Sequence, residues 1–322
     1  MMRFQTILKY RKNMMAAAIV MILMYHTKGA WPEIALKKAA GYFYGGVDLF
    51  FFASGIGCFF SWYKDENAAA FLRRRAGRIL PVYVPFALTW ITVEALGGGI
   101  GFSEALANLF GVHGFLDISP SFNWYVSGMW LSYLLTPFLA PLARRCDGRA
   151  KAIAAVLALL VFSFAFWGDT QLIIILTRLP IFFVGMLFAG ESQRREALSK
   201  AELVLLFALI PVGAAFLWES PKFFADLVWS RGLAWYPMLL IAPGLCIAVA
   251  AVSALLERRA VGRGINKALG LLGGITFEIY LVHFWALEKP LPLFLGLTVL
   301  YTAVLRGVSV LIRKGLIKRS IT

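Results

Sequence analysis

Six ionisable side chains lie inside long apolar runs of this 322-residue chain: His26, Asp48, Arg178, Glu278, His283 and Arg306. Ionisable groups at membrane depth are costly and rare, so each one points first to function. Three of them share a layer. His26 lies four residues before the end of the first run, Asp48 five after the start of the second, and His283 four before the end of the ninth. At ~1.5 Å of rise per residue, each sits roughly 6–8 Å below the same surface. An imidazole can take a proton from a hydroxyl near neutral pH, because its ordinary pKa is about 6.5. A neighbouring carboxylate can hold the ring in one tautomer and stabilise its cation. The layer therefore reads as a base, His26, with an orienting acid, Asp48, and with His283 close by. A proton relay for transport is the other chemistry open to it. Zinc binding is the weaker reading, because neither HxxxH nor CxxC spacing occurs.

Near the third run, Arg73, Arg74, Arg75 and Arg78 crowd together. Arg74 and Arg78 share a helix face, and Arg75 lies three residues from Arg78. Charge anchoring accounts for such density, yet guanidinium is also the group best shaped to hold phosphate through a bidentate fork. A phosphorylated cytoplasmic donor would suit this cluster. Arg178 lies too deep for anchoring, and an anionic or carbonyl partner, or an ion pair with Glu278, is expected.

The elements that position these groups are apolar helices. Hydrophobic residues make up 60% of the chain and charged residues 15%, with mean hydropathy +0.76. Soluble domains run near about 45–50% and about 25%. This composition excludes a soluble enzyme, a disordered chain, a disulfide scaffold and a nucleic-acid-binding module. The net charge of +15 does not argue for nucleic acid, because the basic residues are confined to short stretches between apolar runs. A helix needs roughly 20 mostly apolar residues to cross a bilayer core. On that measure ten spans are expected: Met14–Ala30, Phe43–Tyr63, Ile79–Leu96, Trp124–Leu142, Ala152–Trp167, Leu172–Gly190, Leu203–Trp218, Trp235–Leu256, Leu269–Leu287 and Leu291–Ile312. The expected fold class is all-α, one polytopic membrane domain over 1–322, with 313–322 a short basic tail.

The loops alternate in charge. Segments on the N-terminal side carry 24 Lys and Arg, and the opposite side carries 6. By the positive-inside rule both termini are cytoplasmic. The first run has no small-residue cleavage site and reads as a retained span. Cys58, Cys146 and Cys246 form no readable disulfide framework. Phe102–Phe115 is expected to be a short helix resting on the bilayer, with Phe102, Leu106, Leu109 and Phe110 on one face.

Six segments, in order, resemble the acyltransferase family 3 proteins, bacterial membrane enzymes that acylate glycans. They are "AAAIVMILMYH" ending at His26, "GGVDLFFFASG" (Gly45–Gly55), "FLRRRAGRILPVY" (Phe71–Tyr83), "NWYVSGMWLSYLLTP" (Asn123–Pro137), "RLPIFFVGMLFAG" (Arg178–Gly190) and "GGITFEIYLVHFW" (Gly273–Trp285). The resemblance implies transfer of an acyl group, commonly acetyl, from cytoplasmic acyl-CoA to a hydroxyl of a cell-surface or lipid-linked carbohydrate. It implies a multi-pass protein of the bacterial cytoplasmic membrane, with acyl-CoA as co-substrate and no permanently bound cofactor or metal. His26 matches the family's essential first-span histidine, Asp48 and Ser54 its second-span signature, and Arg75 and Arg78 its Arg-x-x-Arg pair. Two positions depart from the pattern. Met15 stands where a basic residue is common, with Arg11 one turn earlier on the same face, and Gly128-Met129-Trp130 replaces an acidic stretch.

The resulting expectation is catalysis by His26 oriented by Asp48, with donor binding by Arg74, Arg75, Arg78 and Arg178. Ser54, Tyr83, Trp124, Glu278 and His283 are expected to face substrate or support the site. Arg178 or His283 would polarise the thioester carbonyl. Direct transfer and a covalent acyl-histidine are both open. The alternative from another class is a proton-coupled transporter or glycan flippase, although no repeated halves are visible.

Overall fold

The computed structural model describes residues 2–116, 124–165, 170–224, 236–287 and 289–319. Of the positions named from sequence, Asn123, Trp167, Trp235 and the final residues 320–322 lie outside it.

A helix stands at each of the ten expected places, but not every one is a full span. The first is α2 (Arg11–His26), preceded by a short α1 (Phe4–Lys9). The second joins α3 (Ile34–Ala40) to α4 (Gly46–Trp62) through a single 3-10 turn. Then come α5 (Ala68–Leu96), the short α6 (Phe102–Phe110), α7 (Trp124–Arg145) and α8 (Arg149–Phe164). The sixth run is split at Thr177–Arg178 into α9 (Thr170–Leu176) and α10 (Leu179–Glu191). The chain continues with α11 (Lys200–Phe224), α12 (Pro237–Leu256), α13 (Ala260–Leu272), α14 (Thr276–Val282) and α15 (Leu291–Arg319).

Among the described residues, seven helices are long and apolar enough to cross a membrane, or eight if the bent pair α13–α14 counts as one span. Ten were expected. The difference has physical causes. α2 and α8 have 16 residues each, a rise of ~24 Å against a hydrocarbon core about 30 Å thick. The ninth run is not one straight helix either. It breaks between Leu272 and Thr276, at two consecutive glycines, and bends by 56°. A second difference is a two-residue antiparallel ladder, Met2–Arg3 with Ala197–Leu198, in a molecule otherwise helical among the described residues. α15 runs through position 313 to Arg319, so the described part of the expected basic tail is helical.

Apolarity sets depth in the bundle. α4 is apolar on all faces, and 13 of its 17 residues are buried, so it is the central post. α10 crosses it in close backbone contact. A Cβ on Gly55 would strike the Phe182 carbonyl, and a Cβ on Gly185 would strike the Phe52 carbonyl. Small residues at such a crossing let two backbones touch, which is how membrane helices gain packing energy. α2 packs on the other side of α4. Along the middle of the outer helices α8, α11 and α15 the exposed side chains are apolar, among them Leu157, Val204 and Val304, as a lipid-facing surface requires. α6 exposes Phe102, Leu106 and Phe110 along one side, as expected, whereas Leu109 packs against the core.

The six basic segments gather at one end. The N-terminal strand pairs with 197–198, and Lys9 bridges Glu257 at 3.5 Å. Arg144 bridges Glu66, Arg194 donates to the Arg144 and Cys146 carbonyls, and Arg149 bridges Glu202. Arg313 donates to the Arg78 carbonyl at 2.9 Å.

Candidate active site

The basic end opens into a cavity of about 400 Å³ between α2, α4, α5, α7, the α13–α14 break and α15. Among the described residues, six cations line it, Arg11, Lys12, Arg75, Arg78, Arg306 and Arg313, against a single acid, Glu278. Each helix supplies its charge for a local reason. Arg11 and Lys12 open α2, where the chain leaves the basic end, and Arg75 and Arg78 occupy the first turns of the long α5. The Arg75 guanidinium is buried, donates to the Gly57 carbonyl at 2.9 Å, and lies over the Phe71 and Tyr133 rings. Arg306 and Glu278 form an ion pair at 2.8 Å across α14 and α15, with the Glu278 side chain only 3% exposed. Deeper in, the lining becomes neutral: Met15, Phe50, Ser54, Tyr125 and Tyr280. The shape is a cationic vestibule leading to an aromatic floor.

On the far side of that floor lie the histidines. The Tyr125 and Tyr280 rings meet at 4.5 Å, and Tyr280 approaches His283 at 5.6 Å. His283 in turn lies 4.9 Å from His26, centroid to centroid. His283 is completely buried, whereas His26 is half-buried at the end of its helix. His283 Nδ1 lies 2.6 Å from the Tyr280 carbonyl and 3.3 Å from that of Ile279. A carbonyl only accepts, so Nδ1 carries the proton and Nε2 carries the lone pair. That buried Nε2 has no hydrogen-bond partner among the described residues.

Asp48 is elsewhere in the layer. Its carboxylate pairs with Arg178 at 3.4 Å, with the two side chains 2% and 0% exposed. Arg178 sits at the break between α9 and α10, donates to Thr177 Oγ1 at 3.1 Å, and lies 5.6 Å over the Trp124 ring. The α4–α10 crossing brings these charges together, and in low dielectric the nearer opposite charge dominates.

A family description, acyltransferase domain, matches residues 14–313, nearly the whole chain. The chain belongs to acyltransferase family 3. No curated protein and no solved structure matched it.

In this membrane acyltransferase the expected site residues fall into three groups. Arg75, Arg78, Ser54 and Glu278 share the cavity wall, and His26 meets His283 beyond it. The second group is rearranged. Asp48 makes no hydrogen bond or ion pair with His26, because on α4 it faces α10 and is taken by Arg178. Arg178 accordingly pairs with Asp48 and not with Glu278, which Arg306 neutralises. Arg178 does not line the cavity, so its expected donor contact is not made there, and Trp124 is its ring neighbour. The third group, Arg74 and Tyr83, lies outside this cavity and makes contacts of its own. Arg74 grips Asp65 at 2.5 Å and the Ser61 carbonyl at 2.7 Å, holding the Asp65 carboxyl below the ordinary carboxylate range. Tyr83 is buried and donates to the Asn108 carbonyl, fastening α6 to α5.

Sequence reasoning gave no role to Lys12, Arg313, Tyr125 or Tyr280, all of which line the cavity. Tyr280 precedes His283 by three residues, one helical turn, and that spacing is the signal that could have found it. Arg11 does reach the cavity together with Met15, as their shared helix face implied. Among the described residues no group of three or more His, Cys, Asp or Glu is arranged to hold a metal ion.

Proposed function

We propose that this protein is an O-acyltransferase of the bacterial cytoplasmic membrane that takes an acyl group, acetyl in the simplest case, from cytoplasmic acyl-CoA. The acceptor is a hydroxyl of a cell-surface or lipid-linked carbohydrate on the opposite face. The observation that carries this reading is the cavity with six cations and one acid, opening at the end where all the basic segments meet. That end is cytoplasmic by the positive-inside rule, and the phosphates of a coenzyme A are the anions such a vestibule would hold. The pantetheine arm is uncharged and fits the neutral depth between Ser54 and Tyr280. To bring the thioester to His26 it must pass the Tyr125–Tyr280 contact.

His26 is the base in this mechanism. It sits half-buried at the outer end of α2, within reach of an acceptor arriving from outside. It removes the hydroxyl proton as the oxygen attacks the thioester carbonyl, and positioning the two reactants supplies much of the acceleration. The Asp48–Arg178 pair holds α4 against α10 and sets the frame beside the histidines.

One experiment tests both halves. Membranes carrying the wild type, His26→Ala or Arg78→Ala at matched levels are given labelled acetyl-CoA. Bound donor and alkali-labile label on the glycan fraction are then measured. His26→Ala is expected to bind donor normally and transfer none. Arg78→Ala is expected to weaken donor binding by roughly 10-fold or more, the loss of a charge-assisted hydrogen bond. Full transfer by His26→Ala would refute the base assignment. Unchanged donor binding in Arg78→Ala would remove the cavity as the donor site.

A further inference from the structure

We infer that His283 is the proton partner of His26, the role sequence reasoning gave to Asp48. The proposal rests on the reading of His26 as the base. Three observations carry it. Among the described residues the ring neighbours of His26 are Tyr25, His283 and Phe284, and of these only the imidazole carries a nitrogen lone pair that can accept a proton. The acid at the same depth, Asp48, is engaged by Arg178. The two carbonyls at His283 Nδ1 then fix its tautomer, leaving the Nε2 lone pair buried with no hydrogen-bond partner among the described residues.

A buried acceptor left unpaired is costly. A residue needed only to tie the end of α14 could do so through Nδ1 alone, and nothing in that role requires a second nitrogen. Centroids at 4.9 Å admit a nitrogen-to-nitrogen hydrogen bond between the two rings.

The step balances as follows. The acceptor O–H bond breaks and its proton goes to one ring nitrogen of His26, while the proton on the other His26 nitrogen passes to His283 Nε2. The freed oxygen forms a C–O bond to the thioester carbonyl carbon. The tetrahedral adduct collapses by breaking the C–S bond, and the electron pair leaves on the coenzyme sulfur. The proton returns from His283 through His26 to that sulfur, giving ester and free thiol. His283 acts through His26 and is a positioning residue that holds the proton between the two half-steps.

The test separates its two nitrogens. In His283→Asn the side-chain amide can keep the tie to the Tyr280 carbonyl but has nothing at the Nε2 position. The full chain in membranes is assayed with labelled acetyl-CoA for donor binding, for kcat and for KM. The expected result is unchanged donor binding and KM, with kcat reduced by about 100-fold or more, the scale of a lost acid–base group. His283→Gln sets an amide oxygen near the Nε2 position that accepts a hydrogen bond but cannot hold the proton, and is expected to lose kcat as His283→Asn does. The double variant His26→Ala/His283→Asn is expected to be no slower than His26→Ala alone. Wild-type kcat in either His283→Asn or His283→Gln would overturn the proposal, as would a loss in His283→Asn that lies in donor binding and not in kcat. If His26→Ala itself transfers normally, the base reading fails and the relay fails with it. If only His283→Asn transfers normally, the base reading stands alone.

Discussion

Asp48 and Arg178 form the most deeply buried ion pair among the described residues, and their partnership sets what each can do. An isolated charge at this depth is strongly disfavoured, whereas a close pair offsets much of the desolvation. Removing one partner is therefore worse than removing both. Arg178→Met is expected to destabilise the protein by about 3–5 kcal/mol, and Asp48→Leu/Arg178→Met to recover much of that loss. Thermal unfolding followed by loss of monodisperse protein in detergent reads both variants. A single Arg178→Met variant as stable as the wild type would mean that the pair does not hold the frame. The same residues mark how far sequence reasoning reached. Both stand out of place in an apolar run and Arg178 calls for an anionic or carbonyl partner, but the sequence points to Glu278 for Arg178 and to His26 for Asp48, and the pairing found is Asp48 with Arg178. Position along a helix gives height in the membrane. It does not say which neighbour the side chain faces.

At the scale of elements, the α4–α10 crossing places that pair. Gly55 and Gly185 each lie against a backbone carbonyl of the other helix, so an added methyl at either has no space to enter. Gly185→Ala is expected to cost about 1–3 kcal/mol through overpacking, seen as a lowered unfolding temperature and reduced transfer. Gly296→Ala in α15, where a Cβ meets nothing within 4 Å, is the matched control. Equal unfolding temperatures for the two variants would show that the crossing tolerates separation. The helix break at Gly273 and Gly274 has a comparable role, because both glycines line the cavity. A hydropathy count treats Leu269–Leu287 as one straight span. Hydropathy averages over composition and is blind to a bend, which depends on how the broken ends pack against α2 and α15.

At the scale of the whole molecule, the basic segments fall at one end and the His26–His283 pair lies toward the other, with the cavity between them. That arrangement predicts a labelling pattern. Single cysteines at Lys9 or Arg258 are expected to react with a membrane-impermeant maleimide only from the cytoplasmic side, and a cysteine at Lys37 only from outside. The native Cys58, Cys146 and Cys246 are buried and give a low background. Reaction of the Lys37→Cys variant from the cytoplasm alone would reverse the assigned orientation.

The amino-acid sequence by itself determined the membrane character, the places of the helices, the six basic segments, the unusual intramembrane charges and the family. These are properties of local composition and of height along an apolar run, which one chain carries without reference to any other part. Tertiary structure decided the pairings: Asp48 with Arg178, Glu278 with Arg306, and His283 with His26. It also decided that Arg74 pairs with Asp65 and Tyr83 with the Asn108 carbonyl, while Arg11 and Tyr280 face the cavity. The physical reason is rotation. Each helix can turn about its own axis without changing its hydropathy, and only packing against its neighbours selects which side chains meet.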